Sequence, residues 1–208
     1  MDWTALVVLG AYHGINPGMG WLFAVALGMQ ERNGRGVVRA LPPIALGHAA
    51  AVGAVVLLGV LAQMILPLGA LKPVVAATLV SLGLYRLWRH RHPRFGGMQV
   101  GFVDLTVWSF LMASAHGAGL MVLPFVMGMA AEVSATGAHA RHIVSATGGP
   151  TLAMAVGVHT LTYLTVTTLA AWIVYRRLGL ALLRTAWFNL DWLWAGALVV
   201  TGIATVFL

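Results

Sequence analysis

Eight histidines are the residues of this chain with the most chemistry to offer. Imidazole exchanges protons near neutrality, and its neutral form is the commonest metal ligand in proteins. Four of the eight, His13, His48, His116 and His159, stand inside long apolar runs. Each lies roughly 8–12 positions from the nearer end of its run, so at about 1.5 Å per residue all four fall near the middle of a bilayer. A titratable ring at that depth is costly and turns towards the protein interior. One such ring would serve as a helix-to-helix hydrogen bond. Four at related places point to a shared site for a first-row cation, because imidazole suits zinc, copper, iron and nickel. The other four lie in polar connections, His90 and His92 in one, His139 and His142 in another.

The neighbours of these rings add detail. Pro17 has no N–H for the carbonyl of His13, and Gly14, Gly18 and Gly20 weaken the helix further. A break is expected there, beside a cavity or packed protein. Asn16, three residues after His13, shares its face. Gly117 and Gly119 follow His116, and Pro124 frees the carbonyl of Leu120. Met112 lies one turn before His116. Thr162 and Tyr163 stack near His159 and would line a hydrated path, unless the threonines bond back to their own helix. Asn16, Met112, Thr162 and Tyr163 are therefore accessory candidates. So is Asp104, which with Asp191 opens a span as an N-cap or an inner gate. Met19, Met112, Met121, Met127 and Met129 cluster in two spans, where they fill core or shift preference towards Cu(I).

The elements that position these residues follow from composition. The chain has 208 residues, 60% hydrophobic and 8% charged. Its mean hydropathy is +0.90. Soluble domains carry roughly 25% charged residues, so this is expected to be an integral membrane protein. Without cysteine there is no disulfide, thiolate metal site or iron–sulfur cluster. Apolar runs fall at 4–29, 40–66, 70–88, 102–130, 150–175 and 187–208. The strand pattern of alternating residues is absent, so the spans are helices. Arg32, Arg35, Arg39, Arg86, Arg89, Arg91, Arg94, Arg176, Arg177 and Arg184 fall on one side of six alternating spans, and only Lys72 and Arg141 on the other. That bias orients both termini outside and the arginine loops towards the cytoplasm, where they also meet anionic lipid. The net charge of +7 is read this way, with no nucleic-acid partner. The start Met1-Asp2-Trp3 lacks the basic stretch of a signal peptide. A multi-pass protein of the inner (cytoplasmic) membrane is expected.

The chain also repeats itself. Ala11-Tyr12-His13-Gly14, Phe23, Gly28-Met29 and Glu31 are matched by Ser114-Ala115-His116-Gly117, Phe125, Gly128-Met129 and Glu132. Gly47-His48 is matched by Gly157-Val158-His159. Each half, 1–90 and 101–208, holds three spans, and an odd number inverts the second half. The expected fold is all-α: one membrane domain, 1–208, of six transmembrane helices as a 3+3 inverted repeat, N-out and C-out. Such repeats build many transporters, with the substrate near the midplane. Gly53 and Gly59 are expected to mark close helix packing.

The stretch His13-Gly14-Ile15-Asn16-Pro17-Gly18 resembles the His-Gly-x-x-Pro-Gly stretch in the first span of NicO-type nickel–cobalt exporters. The layout looks like that of the LysE superfamily of small exporters. This resemblance implies an inverted-repeat fold and a transported cation or small solute. The chain departs from the exporters at Asn16 and Met19, where an acid and a second histidine often stand. It also lacks their long histidine-rich loop.

The expected function is secondary transport, most simply export, of a divalent transition metal such as nickel or cobalt, with His13, His48, His116 and His159 as ligands. Metal binds only the neutral ring, so loading displaces protons and the inward proton gradient would drive export. An alternative is an electron-transfer subunit in which histidine pairs, His13 with His116 and His48 with His159, ligate haem b. Another is a structural subunit of a larger membrane complex, or a homo-oligomer. An enzyme is not expected, because Ser81, Ser109 and Ser114 have no acid–base set beside them.

Overall fold

The computed structural model describes residues 3–88, 101–135, 148–178 and 190–207. His90, His92, His139 and His142 lie outside them, as do Arg89, Arg91, Arg94, Arg141 and Arg184. The described chain is helical, without strand. It comprises α1 (Trp3–Ile15), a 3-10 turn (Pro17–Met19), α2 (Trp21–Gln30), α3 (Gly34–Ile65), α4 (Leu68–Trp88), α5 (Phe102–Ala115), α6 (Ala118–Ala135), α7 (Gly148–Ile173), a π-helical turn (Val174–Leu178) and α8 (Leu190–Phe207).

Three stretches are long and apolar enough to cross a membrane: Gly34–Gln63, Gly69–Trp88 and Pro150–Arg177. The pair Phe102–Ala115 and Ala118–Met127, bent by 62°, makes a fourth. Trp3–Ile15, Trp21–Gln30 and Ala195–Phe207 are apolar but shorter. The first apolar run is thus two helices, divided where Pro17 removes a backbone donor. In α3 the opposite occurs. The helix begins at Gly34, under an Asn33 side-chain cap, and runs through Pro42 and Pro43. Each proline forfeits a single bond of a 32-residue helix that is held by its neighbours on other faces.

Glycines show which helices touch and in which direction they run. A Cβ on Gly10 would lie 2.5 Å from the carbonyl of His159, and one on Gly14 2.7 Å from that of Tyr163. A Cβ on Gly28 would lie 3.1 Å from the Tyr175 ring. Both sets of numbers rise together, so α1 and then α2 track α7 in parallel. Gly47 abuts Thr106 and Ser109, Gly119 abuts Val55, and Gly59 abuts Leu123. The same rule makes α5 and then α6 track α3 in parallel. Neither broken pair doubles back. The helices α4 and α8 run antiparallel: Gly83 meets Ala195, whereas Gly202 meets Ala76. Gly59 packs as expected, but Gly53 does not, since no atom lies within 4 Å of its would-be Cβ. It opens on an apolar groove between α3 and α7, lined also by Ala49, Val56, Gly157 and Thr160.

The close contact of α1 with α7 yields a first prediction. Gly14→Leu should wedge the two helices apart and cost about 1–3 kcal/mol, as overpacking does. A melting temperature of the detergent-solubilised variant equal to that of the parent would contradict the packing.

Candidate functional site: a buried histidine cluster

The two breaks and two long helices bring the four membrane histidines together. His13 lies in the last turn of α1, which ends at Ile15 just before Asn16, and His116 closes α5 just before Gly117, whose φ of +72° turns the chain. His48 and His159 stand within α3 and α7. All four are buried, at 0–2% exposure. The ring centroids of His13, His48 and His159 form a triangle with sides of 5.0, 5.5 and 5.6 Å. His116 lies across the first break, its Nε2 3.9 Å from where a Cβ on Gly18 would stand.

Backbone carbonyls set the tautomers. Nδ1 of His13 lies 2.6 Å from the Leu9 carbonyl, Nδ1 of His116 2.7 Å from that of Met112, and Nδ1 of His159 3.2 Å from that of Leu6. A carbonyl only accepts, so these nitrogens carry the proton and each Nε2 carries the lone pair. Metal-binding histidines are oriented in this way. His48 differs. Its Nε2 faces His159 Nε2 at 3.3 Å, so His48 must donate there. Its buried Nδ1 has no hydrogen-bond partner. The Tyr163 ring stacks on His48 at 3.8 Å, while the Tyr163 hydroxyl donates to the Met19 carbonyl.

This geometry resembles an ion site without being one as it stands. For metal–nitrogen bonds of about 2.0–2.1 Å, the tetrahedral edge is about 3.3–3.4 Å and imidazole centroids lie about 5 Å apart. The measured spacings are of that size. Yet His48 and His159 are nearly coplanar in orientation, 17° apart, and spend their facing nitrogens on one another. Among the described residues no group of three or more His, Asp or Glu side chains is set to hold a metal ion. Haem does not fit the His48–His159 pair. A bis-histidine haem has the two nitrogens on opposite faces of the macrocycle, and 3.3 Å of shared hydrogen bond leaves no room for it.

The accessory candidates divide. Asn16 is buried and its side chain accepts from the Gly18 N–H at 2.8 Å, so it shapes the break. Tyr163 joins the cluster through His48. The buried Met112 side chain packs in α5 below His116, and Met19, Met121 and Met127 are likewise buried apolar residues. Thr162 bonds back to the Val158 carbonyl at 2.9 Å, as Thr165 and Thr168 do to theirs. Asp104 is exposed and accepts from the Gly101 N–H at 2.9 Å, capping α5. It stands twelve residues, or about 18 Å of helix, before His116.

Three further residues near the breaks were not among the site candidates read from sequence. Trp21 Nε1 donates to the Ile15 carbonyl that the first break exposes, at 2.9 Å. Ser109 donates to the Ile44 carbonyl at 2.7 Å. Arg86 belongs to the last turn of α4 rather than to a loop, and donates to the Ala115 carbonyl at the second break. Only a polar residue spaced to reach a break would have signalled these, and that spacing runs through the tertiary fold.

Compared with family models, curated proteins and solved structures, the chain matches none.

Proposed function

We propose that the protein is a secondary transporter that carries a divalent first-row transition metal, in the manner of nickel or cobalt, across the cytoplasmic membrane. The observation that carries the reading is the convergence of four buried histidines from two broken and two continuous helices, three of them with Nδ1 on a backbone carbonyl. Loading replaces the His48–His159 hydrogen bond by a shared cation and moves the His48 proton to Nδ1. The cation is cargo, so a site that is closed on itself when empty is consistent with the role.

The helix directions support six crossings. Six alternating spans require the first and fifth to be parallel, the second and fourth to be parallel, and the third and sixth to be antiparallel. The glycine contacts have those three senses. Each broken helix packs against the long helix of the other half, a symmetric exchange that supports reading the two halves as a 3+3 inverted repeat. The ends of α3 and α7 also differ. The apolar groove between them includes Ala49 and Thr160, the residues that follow His48 and His159. At the other end Trp172 lies 3.2 Å from a would-be Cβ on Gly34 and Tyr175 packs on Gly28.

Orientation is tested by single introduced cysteines. Arg35→Cys and Gly96→Cys should be protected from an impermeant thiol reagent in intact cells, and Gly137→Cys labelled. Labelling of Arg35→Cys would reverse the topology. Transport is tested in proteoliposomes with Ni2+, Co2+ and Zn2+ and a lumenal metal dye. Dye response no greater than in protein-free vesicles for all three ions would overturn the reading. An absorption spectrum of the purified protein should show no haem band.

A further inference from the structure

We infer that Tyr163 is a positioning residue of the histidine site: its ring fixes the plane in which His48 offers its nitrogen, and its hydroxyl ties the same side chain to the first helix break. The inference rests on the transport reading above and adds to it a residue through which the break acts on a ligand. Tyr163 is fully buried. Its backbone is clamped by α1, since a Cβ on Gly14 would lie 2.7 Å from its carbonyl and one on Gly10 3.2 Å from its nitrogen. The phenol therefore starts from α7 where α1 presses close. It ends on the carbonyl of Met19, the last residue of the 3-10 turn, just before Gly20 at φ +132° leads into α2. Between these two ends it lies flat on His48 of α3, with centroids 3.8 Å apart and planes 14° apart. One side chain thus joins α7, the break and α3.

The ring plane matters because an imidazole lone pair lies in it. A tilted ring swings its nitrogen away from a cation shared with its neighbours, which is why partners that orient a ligating histidine affect affinity. His13, His116 and His159 each have Nδ1 on a backbone carbonyl. His48 has no such anchor. Its Nδ1 is without a hydrogen-bond partner, and its bond to His159 leaves the ring free to turn about the line between the two nitrogens. The face of Tyr163 blocks that turn. It supplies by stacking what the other three rings take from a carbonyl. The hydroxyl adds the link to the break. The turn Pro17–Met19 cannot leave α7 while the Met19 carbonyl is held. A movement that draws the phenol along uncovers the face of His48. Rearrangement of the break and release of His48 are then a single event.

Two substitutions separate the ring from the hydroxyl. Tyr163→Phe keeps the stack and loses the tie; Tyr163→Leu loses both. Binding of Zn2+ and Ni2+ to the purified full chain is measured by calorimetry, and initial transport rates in proteoliposomes across a range of metal concentrations. Tyr163→Phe should bind within about threefold of the parent, because the stack remains. Its saturating transport rate should fall by about fivefold or more, the loss of one hydrogen bond made as the break moves. Tyr163→Leu should also bind about fivefold weaker or more, as removal of an aromatic pair implies. A tyrosine that only fills the core would lower the melting temperature and leave affinity and rate per folded molecule unchanged. A saturating rate in Tyr163→Phe equal to or above that of the parent, or parental affinity in Tyr163→Leu, would therefore overturn the inference. The tie is read without metal as well. Met19→Cys replaces a buried side chain and leaves the backbone carbonyl in place. Its alkylation in detergent should be about fivefold faster or more when combined with Tyr163→Phe. Equal alkylation rates would overturn the tie. A parent that neither binds nor carries either metal would instead overturn the transport reading, and alkylation still decides whether Tyr163 holds the break. If Tyr163→Leu does not fold, Tyr163→Phe and the alkylation rates decide.

Discussion

If the chain carries metal as proposed, His159→Ala should abolish metal movement in proteoliposomes and weaken metal binding at least as far as the roughly 10–100-fold that loss of a supporting partner costs. The ring lies at the centre of the cluster. It is 5.0 Å from His13 and 5.5 Å from His48 between centroids, and its acceptor nitrogen is fixed by the Leu6 carbonyl on the far side. His13→Ala and His116→Ala should do the same, because each presents an Nε2 whose partner nitrogen is held by its own helix. His48→Ala should cost less affinity. No acceptor holds His48 Nδ1, so this ring must shift its proton to a bare position before it can bind. Losing it forfeits a ligand that was costly to recruit. The fold should survive each change, since the carbonyls of Leu9, Met112 and Leu6 are helical and keep their backbone donors. Thr165→Val, at an exposed side chain bonded to the Leu161 carbonyl, serves as the control. Binding curves of His159→Ala and His13→Ala that overlay the parent would remove the cluster from the mechanism.

Sequence made the histidines legible because depth in a membrane is counted in residues. His13, His48, His116 and His159 each sit mid-run, and mid-run rings must turn inward. The first break was legible for the same reason, since Pro17 acts on a known carbonyl four residues earlier. The second was read from Gly117 and Pro124, but the chain turns at Gly117 while Pro124 remains inside α6. Proline in a helix is decided by what else can support the freed carbonyl, and that lies on other helices. Pro42 and Pro43 make the same point within α3. The polar bonds across the site were not legible. Tyr163 to Met19, Ser109 to Ile44 and Arg86 to Ala115 each join residues from different helices. Arg86 shows the limit best. Counting loop charge puts it with the cytoplasmic arginines, whereas its long side chain turns back to the break. A side chain of that length spans about a turn of helix in either direction, and only packing selects one.

Proton flux opposite to metal flux is the second large effect expected. On the proposed function, the site would have to move a doubly charged ion through a region where no buried described residue is acidic. Neutral imidazoles cannot offset that charge, so the transport cycle must balance it elsewhere. The Nε2 lone pairs that bind metal are the groups that bind protons, and one nitrogen cannot hold both. A carrier that opens to water after releasing metal exposes those bases, and returns with protons in place of the ion. Export of metal is then linked to import of protons, and the inward gradient drives it. In vesicles with an acidic lumen, Ni2+ or Zn2+ supplied outside should accumulate faster than in vesicles without a gradient. A lumenal pH dye should report alkalinisation as it does. His13→Ala and His116→Ala should silence both signals together, since one set of nitrogens carries both ions. Metal accumulation at the same rate with and without the gradient, accompanied by no pH signal, would show that protons are not the counter-ion.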